Sequence, residues 1–299
     1  MKYQIYSINF IFFLQNLSKK GYRVIVHGRD NDRIEKACKS VNSQYPDYPA
    51  IPALADLSSI AGCEKLVSIV SSFLTNEFEK PMLNVVVHNA GVFAGKKKTV
   101  GENELEETFA VNVLAPFVLT SMLLPIWNSN IKKVASMIKG NSKYKNLNRR
   151  IVVASSISQS WDISNWEDVA FYNLQSFSSH KTYSESKLLV AMLTYELADR
   201  LKNMGSSYQD ITINCLDPGT VNTKMLLAGW GPCGIEVEQA LDETWLSTTA
   251  DVENMTGKYF VGRVERKSSS FAYQKDERQK LWDLLSRLAP DAAMEWKQK

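Results

Sequence analysis

Short apolar runs alternate with longer amphipathic stretches along most of the chain. Five runs are rich in β-branched or aliphatic residues, as buried strands are, at 21–30, 50–59, 82–93, 151–158 and 210–223. Stretches with helical periodicity lie between them, the clearest at 104–123 and 180–201, and the chain ends with a further strand and helix at 257–291. Strands that alternate with helices predict an α/β fold with a doubly wound, mainly parallel sheet.

The composition is that of a globular chain rather than a nucleic-acid or metal-binding one. With 299 residues and 44% hydrophobic content, we expect a single domain over 1–299, with an atypical segment at 1–20. A net charge of +3, dispersed along the chain, does not suggest nucleic acid as a partner. The four cysteines form no C-x-x-C pair and there are three histidines, so we expect reduced thiols and no metal site.

The predicted helix at 180–201 places Tyr183 four residues before Lys187, on one helix face. A phenol ionises near pH 10, but a neighbouring ammonium favours the phenolate. We therefore expect the pKa of Tyr183 to be lowered, so that it exchanges protons near neutral pH. Taken alone, such a pair is more often an ordinary surface pair.

Two serines strengthen the chemical interpretation of that pair. Ser155 and Ser156 follow the strand-like run IVVA, and ligands of open α/β sheets bind at the carboxyl ends of the strands. The alternative is that the serines only end the strand and cap a turn. With Tyr183 and Lys187 downstream, we favour a catalytic role for Ser156.

The helix at 104–123 contains a proline with a local consequence. Pro116 has no N–H and cannot donate the helical hydrogen bond to the carbonyl of Asn112. That carbonyl is therefore expected to be free to bind water. A kink that wraps the helix around the core is the alternative, and both can hold.

These motifs, in this order, resemble the short-chain dehydrogenase/reductase family from about Gly21 to the C-terminus. Tyr183-Ser-Glu-Ser-Lys187 matches its Tyr-x-x-x-Lys motif and Ser156 matches its catalytic serine. The long interval between Ser156 and Tyr183 with NLQ at 173–175, and GKYF at 257–260, resemble the retinol-dehydrogenase-like branch. The resemblance implies reversible hydride transfer between NADP(H) and a carbonyl or an alcohol.

The resemblance also implies a role for each catalytic candidate. Tyr183 would protonate the nascent alkoxide, and Lys187 would lower its pKa and hold the nicotinamide ribose. Ser156 would hydrogen-bond the carbonyl oxygen, and Asn112 would position a relay water. The retinol-dehydrogenase-like branch suggests a small or apolar, retinoid-like or lipid-like substrate, with Trp230 as a candidate pocket wall.

A cofactor site is implied by the same resemblance. It matches Asp56 and Leu57 to the family's contact with the adenine. It also matches Asn89, Ala90 and Gly91 to the last three residues of an Asn-Asn-Ala-Gly motif, with His88 in place of the first asparagine. The segment beside the nicotinamide is matched by Pro218, Gly219, Thr220, Val221 and Thr223. Arg29 follows the strand at 22–27 and can pair with a 2′-phosphate, which favours NADP(H), with NAD(H) also possible. Alternatively, Arg29 only begins the next helix, and the adjacent Asp30 counts against the phosphate interpretation.

The N-terminus departs from the family pattern. No glycine precedes Gly21, and YQIYSINF stands at 3–10, where a Thr-Gly-x-x-x-Gly-x-Gly loop is expected. We therefore expect the first strand to be incomplete and the pyrophosphate site to be poor. Three interpretations are open: a signal or membrane anchor, a divergent enzyme in which KYQIYSI replaces the strand, or a truncated or mis-spliced product, which we favour.

Two rival functions follow from this departure. One is a catalytically impaired family member that acts as a binding protein; the other is a protein held at a membrane by its apolar N-terminus. We expect a cytoplasmic enzyme with a small-molecule substrate, and leave membrane association and homo-oligomer formation open. The polar, basic run at 128–149 is predicted to be a solvated surface loop.

Overall fold

The sheet and helices below come from a computed structural model, which describes residues 2–7, 11–75, 82–137, 149–172, 175 and 177–297. The strands, β1 to β10, are Lys2–Ser7, Tyr22–Gly28, Ile51–Leu54, Met82–His88, Thr99–Val100, Leu105–Glu106, Arg149–Ala154, Ile211–Asp217, Tyr259–Val261 and Val264–Arg266. The α-helices, α1 to α10, are Ile11–Lys19, Asn31–Gln44, Ile60–Leu74, Glu107–Phe109, Ala115–Met137, Ser179–Asn203, Lys224–Gly229, Asp242–Thr248, Lys275–Leu288 and Pro290–Met294.

Eight of these strands form one sheet in the order β10-β9-β8-β7-β4-β1-β2-β3. Every neighbouring pair is parallel except β9 with β10, at one edge. The residues of β4, β7 and β8 are all buried, as expected for central parallel strands. The predicted mainly parallel sheet is therefore confirmed.

Alternate residues of the strands face two separate apolar cores. Val24 and Val26 of β2 belong to the core beneath α1, α2 and α8, whereas Ile25 belongs to the core beneath α3, α5, α6 and α9. The same alternation holds in β4, where Val85 and Val87 face the first core and Val86 faces the second. Helices thus cover both faces of the sheet, which is the doubly wound arrangement.

The first strand corrects one expectation from the sequence. Lys2–Ser7 lies between β2 and β4 and pairs in parallel with both, so the strand predicted to be incomplete is present. Its β-branched and aromatic residues suit a strand, and its position covers edges of β2 and β4 that would otherwise lack partners. Residues 8–10, the end of the region where the glycine loop was expected, lie outside the described residues, as do residues 173 and 174 of NLQ.

The fifth helix corrects a second expectation. Residues 128–137, predicted to begin a surface loop, continue α5, and the remainder of that run to residue 148 lies outside the described residues. Within the part of the chain that the structure describes, Glu107–Asn130 is long and apolar enough to cross a membrane, but 83% of its apolar window is buried inside the protein.

Candidate active site

Helix α6 carries Tyr183 and Lys187 on the face that packs against the sheet. The two side chains are 8% and 5% exposed. Lys187 Nζ donates a hydrogen bond to the carbonyl of Ala154, at the end of β7, over 2.9 Å, and Ser155 Oγ donates to the carbonyl of Lys187 over 2.8 Å. These two bonds attach the helix to the carboxyl end of β7, and Lys187 Nζ lies 5.4 Å from the centre of the Tyr183 ring. The surface-pair interpretation is therefore wrong.

A cavity of about 310 Å³ opens beside this pair, at the carboxyl ends of β4, β7 and β8. We call it the tyrosine cavity. Parallel strands bring their carboxyl ends to one edge of the sheet, so loops distant in sequence meet there. Its lining includes these predicted site residues: Asn89, Gly91, Ser156, Tyr183, Lys187, Pro218, Gly219, Thr220, Val221 and Thr223.

A second cavity of about 150 Å³ lies at the carboxyl ends of β2, β3 and β4. We call it the arginine cavity. Its lining includes the remaining predicted cofactor residues: Arg29, Asp56, Leu57, Ala90 and Gly91. Gly91 lines both cavities, so together they form an elongated site along one edge of the sheet.

Arg29 is a half-exposed guanidinium at the mouth of the arginine cavity. Its Nη1 lies 3.3 Å from Glu107 Oε1, and Lys98 Nζ lies 2.9 Å from the same oxygen. Two cations therefore share one carboxylate. Asp30, which counted against phosphate binding in the sequence, caps α2 by accepting a hydrogen bond from the N–H of Arg33 at 3.1 Å. It also lines the cavity and pairs with the Arg33 side chain, Nε to Oδ2, at 3.4 Å.

Asp56 is exposed at the same cavity and does not cap α3. Its Oδ1 accepts the N–H of Ser58 at 3.0 Å, whereas Ser59 caps the helix by accepting the N–H of Gly62 at 3.1 Å. A Cβ at Gly62 would lie 1.7 Å from the carbonyl oxygen of Asp56. The turn that carries Asp56 and Leu57 thus depends on glycine at this position.

Asn112 lines neither cavity, and its side chain is used inside the fold. Its amide accepts the N–H of Val92 at 2.8 Å and donates to the carbonyl of Val92 at 3.1 Å and to Ser186 Oγ at 3.0 Å. The segment Ala110–Leu114 is a π-helix in which Ala115 N–H donates to the carbonyl of Ala110, five residues back. The helix is thus irregular immediately before Pro116, which has no N–H to donate.

The pKa of Tyr183 contradicts the sequence expectation. Its pKa is raised to about 12, chiefly by burial and then by the carboxylate of Asp217, against a hydrogen bond with Ser156 that lowers it. The spacing along the helix could predict that Lys187 lies near Tyr183, but it could not predict how deeply the Tyr183 phenol is buried. In this structure Tyr183 is protonated at neutral pH.

Burial also lowers the pKa of Lys187, to about 8, against the opposing influence of Glu243 and Asp217. A buried ammonium loses hydration, and nearby carboxylates recover only part of that loss. Lys187 thus remains mostly charged at neutral pH and loses its proton under mildly alkaline conditions.

Several residues of the site were not found from the sequence. Asp217 is 5% exposed and lines the tyrosine cavity, but in the sequence it stood only as the residue before a Pro-Gly turn. Its position at the end of a buried strand was the signal that could have found it. Phe93 and His180 were missed as well. Phe93 and Trp230 pack on Tyr183, with ring centres 5.7 and 5.6 Å from its own, and His180 packs on Phe93 and Trp230.

No metal centre is present in the described part of the chain, where no group of three or more His, Cys, Asp or Glu could hold an ion. His88 is buried, its Nε2 is 2.9 Å from Thr120 Oγ1, and burial lowers its pKa to about 4. The cysteines are free thiols, of which Cys233 is exposed at the tyrosine cavity. His88 therefore belongs to the core rather than to either cavity.

Comparison with known proteins shows which proteins the chain resembles. Residues 13–147 match the model of the short chain dehydrogenase family. Retinol dehydrogenase 14 of Mus musculus is 29% identical over 90% of this chain and 78% of its own length. Polyprenol dehydrogenase of Homo sapiens is 26% identical over the same shares. The names of these relatives favour an oxidoreductase over a non-catalytic binding protein.

Solved structures show the same fold. A protein from Mycobacterium paratuberculosis aligns with a TM-score of 0.71 at 20% identity, over 96% of this chain and 92% of that one. A short-chain dehydrogenase from Shigella flexneri complexed with NADP aligns with a TM-score of 0.62 at 18% identity, over 88% and 97%. By these comparisons the chain is similar to short-chain dehydrogenases and, among them, to retinol dehydrogenases.

Proposed function

We propose that the protein is an NADP(H)-dependent oxidoreductase that interconverts a carbonyl and an alcohol on a small or apolar substrate. The observation that carries the proposal is the tyrosine cavity, where Tyr183, Lys187 and Ser156 line the same space as the turn after β8. A phenol, an ammonium and a hydroxyl around one cavity can together bind a carbonyl oxygen and exchange a proton with it.

In this proposal Tyr183 is the proton donor. It is protonated at neutral pH, which is the form that can give its proton to the alkoxide oxygen as a carbonyl is reduced. Ser156, which hydrogen-bonds Tyr183 in this structure, would turn its single O–H to the carbonyl oxygen of a bound substrate and so orient it. Reduction is the direction that a protonated Tyr183 favours.

Lys187 supplies positive charge below the reacting oxygen. Its ammonium stabilises negative charge on Tyr183 after proton transfer, because the two groups are neighbours in a buried site. Asn112 is not in the cavity, so its role is to hold the Val92 segment against α6 through its bonds to Val92 and Ser186. We propose that its backbone carbonyl binds the relay water.

The arginine cavity would hold the adenine end of a nicotinamide dinucleotide, and the tyrosine cavity would hold its nicotinamide end. Asp56 and Leu57 would hold the adenine, and the turn from Pro218 to Thr223 would hold the nicotinamide. Gly219 has φ +86° and nothing within 4 Å of an added Cβ, so space beside this turn is open. The bound nicotinamide supplies the hydride in reduction and accepts it in oxidation.

Preference for NADP(H) rests on charge at the arginine cavity. Arg29 and Arg33 both line it, the first paired with Glu107 and the second with Asp30, and a 2′-phosphate would compete with these carboxylates for the two guanidinium groups. The solved complex with NADP is consistent with this use of the fold. NAD(H) remains the alternative cofactor, and direct comparison decides between them.

The substrate is proposed to be apolar. Ile157, Leu226 and Trp230 line the tyrosine cavity, and Phe93 packs on Trp230 with ring centres 4.9 Å apart. The relatives are named for retinol and polyprenol, both long apolar alcohols. We therefore propose a retinoid-like or lipid-like aldehyde or alcohol. A cytoplasmic location belongs to the same proposal, and partition of the chain between soluble and membrane fractions tests it.

Two measurements test the function. NADPH and NADH titrations of the folded chain should show tighter binding of NADPH, and Arg29→Ala should weaken NADPH binding by about tenfold while changing NADH binding little. NADPH oxidation with apolar aldehydes should be lost in Tyr183→Phe, which keeps the ring but not the hydroxyl. Lack of binding by a folded chain, or full activity of Tyr183→Phe, would contradict the proposal.

A further inference from the structure

Asp217 joins two turns that the proposed reaction needs. It is the last residue of β8, and its carboxylate reaches back to β7 as well as forward into its own turn. Asp217 Oδ1 accepts the N–H of Ile157 at 3.0 Å, and Oδ2 accepts the N–H of Gly219 at 3.1 Å. Ile157 directly follows Ser156, and Gly219 lies in the turn proposed to hold the nicotinamide.

We propose that Asp217 is a positioning residue that fixes the Ser156 turn relative to the Gly219 turn and orients both toward Tyr183. The inference rests on the proposed function, because the two turns matter to catalysis only if a carbonyl and a nicotinamide meet between them. We call the two hydrogen bonds the Asp217 clasp.

The backbone leaves few other connections between these turns. At the carboxyl ends of β7 and β8, Ser155 N–H donates to the carbonyl of Leu216 at 2.7 Å. Ile157 and Gly219 lie beyond that bond along each chain segment, and the clasp connects them. The Ser156 turn is also closed locally, since Ser158 N–H donates to Ser156 Oγ at 3.1 Å. The clasp therefore fixes where a preformed turn lies, rather than forming it.

A carboxylate is the group that this geometry requires. Each carboxylate oxygen of Asp217 accepts one N–H. An ionised carboxylate carries no donor of its own, so it suits a place where two N–H groups need acceptors. An amide in the same place would offer one oxygen and one NH₂, and the NH₂ would face an N–H donor. Because Asp217 is only 5% exposed, water has little access to replace the hydrogen bond that an asparagine would lose.

The charge of Asp217 also acts on its neighbours. On α6 it faces Lys187, whose pKa it raises against the effect of burial, and Tyr183, whose pKa it raises in addition to burial. On β9 it contributes, after burial, to raising the pKa of Tyr259, and Asp242 of α8 adds to burial in raising the pKa of Asp217 itself. Removal of the charge therefore changes the titration of the reacting phenol.

Two substitutions distinguish the effect of the two hydrogen bonds of the clasp from the effect of the Asp217 charge. Asp217→Asn removes the charge and one acceptor while keeping the size, and Asp217→Glu keeps the charge but displaces the oxygens by one methylene. Asp283→Asn, on the exposed face of α9, is the matched control. Folding of each variant is checked by its thermal transition.

Amide hydrogen exchange measures the clasp without any substrate. Peptides that contain Ile157 or Gly219 should exchange on the order of tenfold faster in Asp217→Asn than in the wild type or in Asp283→Asn. Unchanged exchange at both amides would overturn the proposal. This readout stands even if the wild type has no activity, which would instead contradict the proposed function.

Kinetics measure the consequence for catalysis. Both Asp217 variants should raise KM for the carbonyl substrate several-fold, because Ser156 and the nicotinamide turn are less well placed. In alcohol oxidation, which needs the Tyr183 phenolate, kcat at about pH 8 should be higher in Asp217→Asn than in Asp217→Glu, because both variants disturb the clasp but only the first removes the charge that raises the pKa of Tyr183. A kcat in Asp217→Asn that does not exceed that of Asp217→Glu, or a KM that stays at the wild-type value in both variants, would overturn the proposal.

Discussion

Replacement of Lys187 by methionine should stabilise the protein while it abolishes activity. Burial lowers the pKa of Lys187 from 10.5 to about 8, a drop of about 2.5 units. At about 1.4 kcal/mol per unit, the folded state carries this charge at a cost of about 3 kcal/mol at neutral pH. The shift already includes the attraction to Glu243 and Asp217, so that attraction is not subtracted again.

Two favourable contacts of Lys187 would be lost and reduce the gain. Its hydrogen bond to the carbonyl of Ala154 contributes about 1 kcal/mol net. Its ammonium over the Tyr183 ring contributes roughly 0.5 to 1 kcal/mol. The expected net effect of Lys187→Met is therefore an increase of about 1 to 2 kcal/mol in the free energy of unfolding at pH 7.

The stability difference between Lys187→Met and the wild type should also depend on pH. Between the folded pKa of about 8 and the unfolded value of 10.5, the unfolded chain binds more protons at this lysine than the folded chain does. The penalty is fully present below pH 8 and disappears as pH rises toward 10.5. The advantage of Lys187→Met should therefore be largest at pH 7 and disappear or reverse by pH 10.

Urea denaturation at both pH values measures this difference. Lys280→Met is the matched control, because Lys280 is exposed on α9 and its pairing with Glu277 contributes little. The control should change the unfolding free energy by less than about 0.5 kcal/mol. If Lys187→Met is less stable than the wild type at pH 7, or if its advantage is the same at pH 10, the assigned cost of the buried charge is wrong.

Three further predictions follow from the site. Gly62→Ala should destabilise the protein by at least about 2 kcal/mol in urea denaturation and weaken NADPH binding, because its Cβ would overlap the carbonyl of Asp56; wild-type stability would contradict it. Trp230→Ala should raise KM for bulky apolar aldehydes by about tenfold and change kcat less, and equal effects on a small aldehyde would contradict a role as pocket wall. Glu107→Gln should release Arg29 and tighten NADPH binding several-fold relative to NADH in a fluorescence titration, and a parallel change for both cofactors would contradict phosphate recognition by Arg29.

The sequence predicted the order of the elements because period and composition are local properties. It also predicted which loops would meet, since parallel strands end at one edge of the sheet and Ser156, Gly219 and Gly91 each follow such a strand. It did not predict β1, because a central strand is stabilised by pairing with β2 and β4 rather than by its own pattern.

The electrostatics of the site were the least predictable part. The spacing of Tyr183 and Lys187 on one helix predicted a lowered phenol pKa, yet burial and Asp217 raise it. Both influences depend on tertiary position: how deep α6 lies, and where the end of β8 directs a carboxylate. Asp217 was overlooked because a residue before Pro-Gly has an ordinary interpretation as part of a turn.

Burial disfavours the charged form of each titratable group of the site. Burial opposes the phenolate of Tyr183, the ammonium of Lys187 and the carboxylate of Asp217 alike. A proton that moves from Tyr183 to a substrate leaves a phenolate beside an ammonium, so the reaction creates the neighbouring pair that the resting site lacks. Stabilisation that arises only as charge develops lowers a barrier, whereas stabilisation of the resting site does not. The cost of burying Lys187 is therefore an expected property of a site that acts by proton transfer, and a variant that gains stability by losing this charge should lose activity for the same reason.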